Sequence, residues 1–463
     1  MMRKHFDFYG YNNPTSGKYY MDGVETYTLG EDFRTVKRFK EYKAVGFNIA
    51  LLQHENTYNG EDFEKSNCKK CMDAAYKAGI DKIIVSDGRL KELCTEKVLV
   101  GENGKFQTEK ELEDFIRFCT EPYRNYPGFY GLQLLDEPKW EYLKEYAHLY
   151  RVIKKLFPEM ELQCNLLNLC APQQLASKPS NMYADYANYL DYFARESGIN
   201  YLMTDEYAFR RNNVISEYTL PVYQIIAKKC KELGLELRLV MQSFSQEGAA
   251  IYDGKLHGGV AWRRMTEKDM YWQMNLAMGF GCKEFSFFTY FTKQNKSFID
   301  VVRSDGIDGA AFVNLDGTRT KLYYYTKRIV HEILNFEQVL IKYNFDQAYF
   351  FFPKGKTKHD FAHTEKVFEY KGCPISIHTA KSPVLVTELK EGKNRMFMVE
   401  NIGNTIDELL YGKRATSVEI DLGDFGESAI FYYRGKQVER KLVNGKLKEK
   451  MHCGDAIFIE VKE

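Results

Sequence analysis

The stretch Gly128-Phe129-Tyr130-Gly131-Leu132-Gln133-Leu134-Leu135-Asp136-Glu137-Pro138 carries an apolar run straight into two adjacent carboxylates and a proline. The run has the length and apolar continuity of a strand buried on both faces, which is the pattern of a parallel sheet. Carboxylates left uncompensated inside such a core cost several kcal/mol. Asp136 and Glu137 therefore belong at the open end of the strand.

Outward from this stretch the same grammar repeats. Candidate strands fall at 6–12, 45–53, 82–87, 129–136, 161–168, 201–207, 236–243 and 284–291. Between them lie stretches of helical periodicity at 32–44, 63–78, 109–119, 140–157, 181–196, 222–233 and 266–278. Gly79, Gly234 and Gly279 sit where a helix stops. Eight strands alternating with helices predict an α/β fold of the (β/α)8 TIM-barrel type. An open doubly wound sheet usually carries a glycine-rich phosphate turn after its first strand, and here that turn reads Asn12-Asn13-Pro14-Thr15-Ser16-Gly17. No GxGxxG or Walker A pattern occurs.

After a helix at 323–340 the pattern changes to short alternating runs at 347–352, 384–388, 395–399, 417–422, 429–433 and 456–461, with no helices between them. These predict a C-terminal antiparallel β-sandwich. The expected division is a barrel over 1–343 and a sandwich over 344–463.

Composition narrows the function. In 463 residues, 65 Lys and Arg balance 64 Asp and Glu, a net charge of +1, so no global field gathers nucleic acid or an anionic membrane. The 34 Tyr and 32 Phe exceed what a core needs and suit a groove for sugars. The first residues lack the apolar run of a secretory leader, and no stretch reaches the ~18 apolar residues of a membrane span. Ten scattered Cys suit reduced thiols, so the expected location is cytoplasmic. Cys68-Lys69-Lys70-Cys71 has CxxC spacing, but it lies on a helical pattern with no second pair, which argues against zinc or redox use. A homo-oligomer is left open.

A barrel's chemistry sits at the carboxyl ends of its strands. Those ends read Asn12; Gln53-His54-Glu55-Asn56; Asp87; Asp136-Glu137; Asn165 and Asn168; Asp205-Glu206-Tyr207; Gln242-Ser243; and Thr289-Tyr290. His54 is the only His among them, so no metal set forms, and no Lys or GxSxG elbow is present. Carboxylates amid amides and aromatics remain, the set that cleaves an acetal. Strand alternation sends Asp205 and Glu206 to opposite sides, with Asp205 slightly favoured to face Glu137. Salt bridging to Arg210 or Arg211 is the competing reading of that pair. Trp262 is the best stacking platform. Trp140 also suits a sugar ring, Trp272 reads as core, and Arg263 and Arg264 suit an acidic sugar.

Asp136-Glu137-Pro138 at the end of the fourth strand resembles the Asn-Glu-Pro that carries the acid/base Glu in clan A glycoside hydrolases, with Asp136 in place of the Asn. The segments 262–266, 279–291 and 312–323 are similar to family 42 β-galactosidases and related barrels. Cys453-Gly454-Asp455-Ala456-Ile457-Phe458 resembles the accessory domain of such enzymes. The resemblance implies a general acid at Glu137. It departs at strand seven, where those enzymes place a nucleophilic Glu and this chain has Gln242, with Glu247 a few residues beyond. The expected function is an exo-acting glycosidase without cofactor or metal. Glu137, Asp205 and Glu206 are its catalytic candidates, and Asn12, His54, Glu55, Asp87, Asp136, Asn168, Tyr207, Gln242, Trp262 and Tyr290 contact the sugar. The alternative is a carbohydrate-binding barrel without turnover.

Overall fold

Eight runs of mostly β-branched, aliphatic and aromatic residues form strands: β1 (Asp7–Gly10), β2 (Ile49–Leu52), β3 (Lys82–Ser86), β4 (Phe129–Gln133), β5 (Glu161–Gln163), β6 (Tyr201–Glu206), β7 (Glu236–Gln242) and β8 (Cys282–Phe288). The structure is a computed structural model. It describes residues 3–21, 24–28, 31–210, 214–245, 250–252, 255–257, 262–292, 311–361, 363–364, 367–379, 381–406, 415–423, 425 and 428–461.

All eight strands pair in parallel, in two four-stranded sheets of order β2-β3-β4-β5 and β1-β8-β7-β6. The sheets meet at both margins. Leu166, just past β5, bridges in parallel to Thr204 of β6, and the Asn48 N–H before β2 donates to Phe8 O of β1 at 2.9 Å. One rim therefore carries all eight carboxyl ends. The strands are shorter than the sequence pattern suggests; β4, for one, ends at Gln133, before Leu134 and Leu135. Lining them are the helices α1 (Val36–Ala44), α2 (Asn67–Lys77), α3 (Gly88–Leu93), α4 (Glu109–Thr120), α5 (Leu143–Leu156), α6 (Met182–Ser197), α7 (Thr219–Leu233), α8 (Glu267–Gly279), α9 (Lys321–Leu334) and α10 (Glu337–Leu340). Capping boxes open α4 (Thr108 with Glu111) and α8 (Thr266 with Asp269), fixing where those helices start. Cys68 and Cys71 are buried on α2, and all ten cysteines are free thiols.

The rim of amino ends holds a network of charge. Arg238, 3% exposed, contacts Glu161 at 2.5 Å, Glu236 at 3.0 Å and Glu284 at 3.3 Å, with its guanidinium 3.5 Å from the Tyr201 ring centroid. Arg3 adds bonds to Asp7, Glu236 and Glu284.

From Asn344 onward the chain is antiparallel: β9 (Asn344–Phe351), β10 (Ser376–Thr379), β11 (Val384–Glu391), β12 (Asn394–Asn401), β13 (Thr416–Asp421), β14 (Ser428–Tyr433), β15 (Lys436–Lys441), β16 (Lys446–Met451) and β17 (Ala456–Val461). They form a six-stranded sheet, β9-β11-β12-β17-β14-β15, and a three-stranded one, β10-β13-β16. Val384, Val386, Phe397 and Val399 of the larger sheet share one apolar core with Ile377, Val418 and Ile420 of the smaller. The larger sheet's other face packs on the helices. A Cβ on Gly279, at the end of α8, would lie 2.3 Å from Met398 Sδ of β12, so any larger residue there makes the Met398 side chain move. Among the described residues no helix is long and apolar enough to cross a membrane.

Candidate active site

Beyond β4, the segment that carries Asp136 and Glu137 is gripped from outside by two buried tyrosines. Tyr146 of α5 donates to Leu135 O at 3.0 Å, and Tyr189 of α6 donates to Pro138 O at 2.6 Å. The Glu137 N–H donates to Asn165 O at 2.9 Å. These ties hold Glu137 at φ 54°, the left-handed region that a non-glycine residue enters at a cost of order 1 kcal/mol. Asn12 (φ 58°) and His54 (φ 55°), after β1 and β2, share that conformation, so three strand ends of one rim carry it.

The Glu137 carboxyl lies within hydrogen-bond reach of Asp205 on β6. Burial and the charge of Asp136 push Glu137 up to about 7. Asp205, 6% exposed, is raised well above the usual carboxylate range by its own burial and then by Glu137, Asp136 and Glu206. Asn165 Nδ2 donates to Asp205 Oδ1 at 3.3 Å, and Asn168 Nδ2 donates to its main-chain carbonyl at 2.5 Å. Glu137 is exposed along its segment whereas Asp205 is buried, so the desolvation that favours a bound proton is greatest at Asp205. Glu206 turns the other way, accepting from Thr219 Oγ1 at 2.8 Å, so strand alternation separates the two acids. That removes Glu206 from the pair with Glu137. Arg210 acts on Glu206 and Arg211 lies outside the described residues, as does Glu247.

Aromatic rings wall the other side. Tyr207, Phe244, Trp262 and Phe288 pack with centroids 5.1–5.9 Å apart, and Tyr207 titrates high through burial and then through Asp205, Glu137 and Asp136. The buried indole N–H of Trp262 has no hydrogen-bond partner among the described residues, while Arg210 lies 5.3 Å from its ring centroid. An unpaired donor beside a ring suits a sugar hydroxyl.

The structure places several expected contact residues elsewhere. Gln242 is wholly buried and committed to backbone: its Oε1 accepts from Phe209 N–H at 2.9 Å, and its Nε2 donates to Phe244 O at 3.1 Å. Asp87 caps α3 and is held by Arg89 at 2.7 Å and Tyr123 at 2.9 Å. Tyr290, 1% exposed, lies among Tyr42, Phe47 and Phe312, because β8 ends at Phe288 and the inward position falls there instead. Glu55 is taken by the Ser16 N–H at 2.6 Å and its hydroxyl at 2.9 Å. Asn12 is tied to Gln53 Oε1 and Phe291 O, whereas His54 is exposed on the rim. Arg263 is committed through both terminal nitrogens, to Asp269 at 2.5 and 2.8 Å and to Thr405 at 3.2 Å.

Two residues were missed. Tyr11 is 2% exposed and accepts from Gln163 Nε2 at 2.5 Å; burial, then Asp136, raises its hydroxyl. Lys91 of α3 donates to Gln133 Oε1 at 3.0 Å, lowered by burial and pulled back by Asp136. The sequence signal for Lys91 was Asp87-Gly88-Arg89, a cap that opens a helix whose first turn returns over the rim. Among the described residues no three His, Cys, Asp or Glu side chains are arranged as a metal site.

No protein-family model matches the chain, and no curated protein matches it. The likeness to family 42 thus finds no support in a family model. Among solved structures, one named only as a glycoside hydrolase overlaps at a TM-score of 0.51 and 11% identity, over 99% of this chain and 93% of that chain. A GH27 β-L-arabinopyranosidase from Geobacillus stearothermophilus overlaps at 0.51 and 11%, over 99% of this chain and 97% of that one. At this identity the likeness is one of fold: parallel-strand sheets with helices, followed by an antiparallel domain.

Proposed function

We propose that the two parallel sheets close into one (β/α)8 barrel over 1–343, and that the chain is an exo-acting glycoside hydrolase using Glu137 and Asp205. The observation that carries this reading is the approach of Glu137, on the segment after β4, to Asp205 of β6, each acting on the other's proton affinity and both binding protons more tightly than free carboxyls. Such a pair supplies an acid and a base at once. Glu137, on the more open segment, gives its proton to the glycosidic oxygen as the bond from C1 breaks, and the Asp205 carboxylate closes on C1 to form an ester. Water, deprotonated by Glu137, then attacks C1 and frees Asp205. Inversion needs a gap of roughly 6.5–9.5 Å for water between the acids, so the close pair favours retention. Tyr207 and Trp262 flank the sugar.

The depth of Asp205 favours a second reading, in which Asp205 keeps the proton as the acid and Glu137 attacks. The test is a panel of aryl glycosides with proton NMR of the first sugar released. Hydrolysis with the retained anomer, lost in Glu137→Gln and in Asp205→Asn, is the expected result. Saturable sugar binding with no turnover on any glycoside would make the protein a carbohydrate binder instead. Release of the inverted anomer would end the covalent mechanism.

A further inference from the structure

Lys139 and Trp140 follow Glu137 by two and three residues, and they open onto a groove of about 770 Å³ that the carboxyl pair does not use. Its wall joins four elements: the turn Trp140–Tyr142, the start of α5, α6, and the turn Pro172–Gln174 beyond β5. The half-buried rings of Trp140 and Tyr192 lie 5.0 Å apart at 44°, both lining the groove. Across from them the side-chain amides of Gln173 and Gln174 are exposed and make no hydrogen bond among the described residues.

Apolar rings facing unpaired amides are the chemistry that grips a neutral saccharide, since a pyranose offers C–H faces to rings and hydroxyl edges to amides. Charge here is mixed: Lys139 and Lys144 stand beside Glu141, Glu141 pairs with Lys97 at 3.7 Å, and Lys144 pairs with Glu145 at 3.7 Å. An anion would not be singled out. Reach fixes the place in the reaction. Three residues of chain span at most roughly 11 Å, about two sugar rings, so the Trp140 backbone lies within that distance of the Glu137 backbone.

We infer that the Trp140–Gln174 groove binds the leaving-group portion of a neutral oligosaccharide whose terminal sugar sits between Glu137 and Trp262. This rests on the glycosidase reading for its orientation, but the groove itself is testable without turnover. In the wild type, tetrasaccharides built of glucose, galactose or xylose are compared with the aryl monoglycoside of the same sugar. For the hydrolysed series, the ratio of the two kcat/KM values falls about tenfold in Trp140→Ala and in Gln173→Ala/Gln174→Ala, and recovers in Trp140→Tyr. An unchanged ratio in both variants overturns the groove. The second readout is tryptophan fluorescence of Glu137→Gln titrated with the same tetrasaccharides. A saturable change that is lost on adding Trp140→Ala supports the groove, and no change with any of the three overturns it. If the wild type cleaves nothing, the glycosidase reading falls and the fluorescence titration alone decides the groove.

Discussion

The two rims of the parallel sheets hold charge in opposite ways. At the amino ends, Arg3 and Arg238 are matched by Asp7, Glu161, Glu236 and Glu284, with contacts of 2.5 to 3.3 Å. At the carboxyl ends, exposed Asp136 and Glu137 stand near buried Asp205: Asp136 raises the proton affinity of Glu137, both raise that of Asp205, and Lys91 is drawn to Asp136. A matched network holds the parallel strands in place, whereas an unmatched cluster favours bound protons. The first serves folding and the second chemistry.

The largest expected effect separates these roles. Glu137→Gln or Asp205→Asn lowers kcat/KM by about 10³-fold, ~4 kcal/mol of barrier, yet neither lowers the midpoint of thermal unfolding, because each removes a like charge. A drop of several degrees in either variant would make the pair a structural element. Arg238→Met should do the reverse. Stripping the cation from three buried or half-buried carboxylates costs about 3–5 kcal/mol in urea unfolding, while activity per folded molecule stays unchanged. Loss of activity without loss of stability would erase the distinction between the rims.

The pH response sharpens it further. Glu137 binds its proton more tightly folded than unfolded, so its contribution to stability is present below the unfolded value near 4.5 and is lost as pH rises through about 7. The unfolding midpoint of the wild type should therefore decline over that window more steeply than that of Glu137→Gln. Activity should fall on the alkaline side near 7, as the acid loses its proton. Equal slopes in the two proteins would deny the shift.

The smallest effect is expected at Tyr290→Phe. Its ring lies outside the site, so kcat/KM should stay within about twofold, under ~0.5 kcal/mol.

The parallel fold was legible in sequence because eight apolar runs each end in polar residues, and Asp136-Glu137-Pro138 stood out as the polar end of one, three residues past the close of β4 at Gln133. Alternation separated Asp205 from Glu206 without deciding which of them faces Glu137. What periodicity cannot give is saturation: Gln242 and Asp87 look like ligands until Phe209, Phe244, Arg89 and Tyr123 consume them. Nor does it register small offsets. With β8 ending at Phe288, Tyr290 lies beyond the strand and packs with Tyr42, Phe47 and Phe312, while Phe288 packs with Tyr207. β15 was missed because Lys436–Lys441 is exposed along its whole length and shows no alternation.

The division of labour between the two carboxyls is tested most directly by leaving-group dependence. Rates of Glu137→Ala and Asp205→Ala are compared on 2,4-dinitrophenyl and 4-methoxyphenyl glycosides of the hydrolysed sugar, with and without azide. Glu137→Ala should retain most of its activity on the dinitrophenyl glycoside, which needs no acid, lose it on the methoxyphenyl glycoside, and be accelerated by azide to a glycosyl azide of retained configuration. Asp205→Ala should be inactive on both. If both variants keep full activity on both substrates, the carboxyl pair is not the catalytic centre.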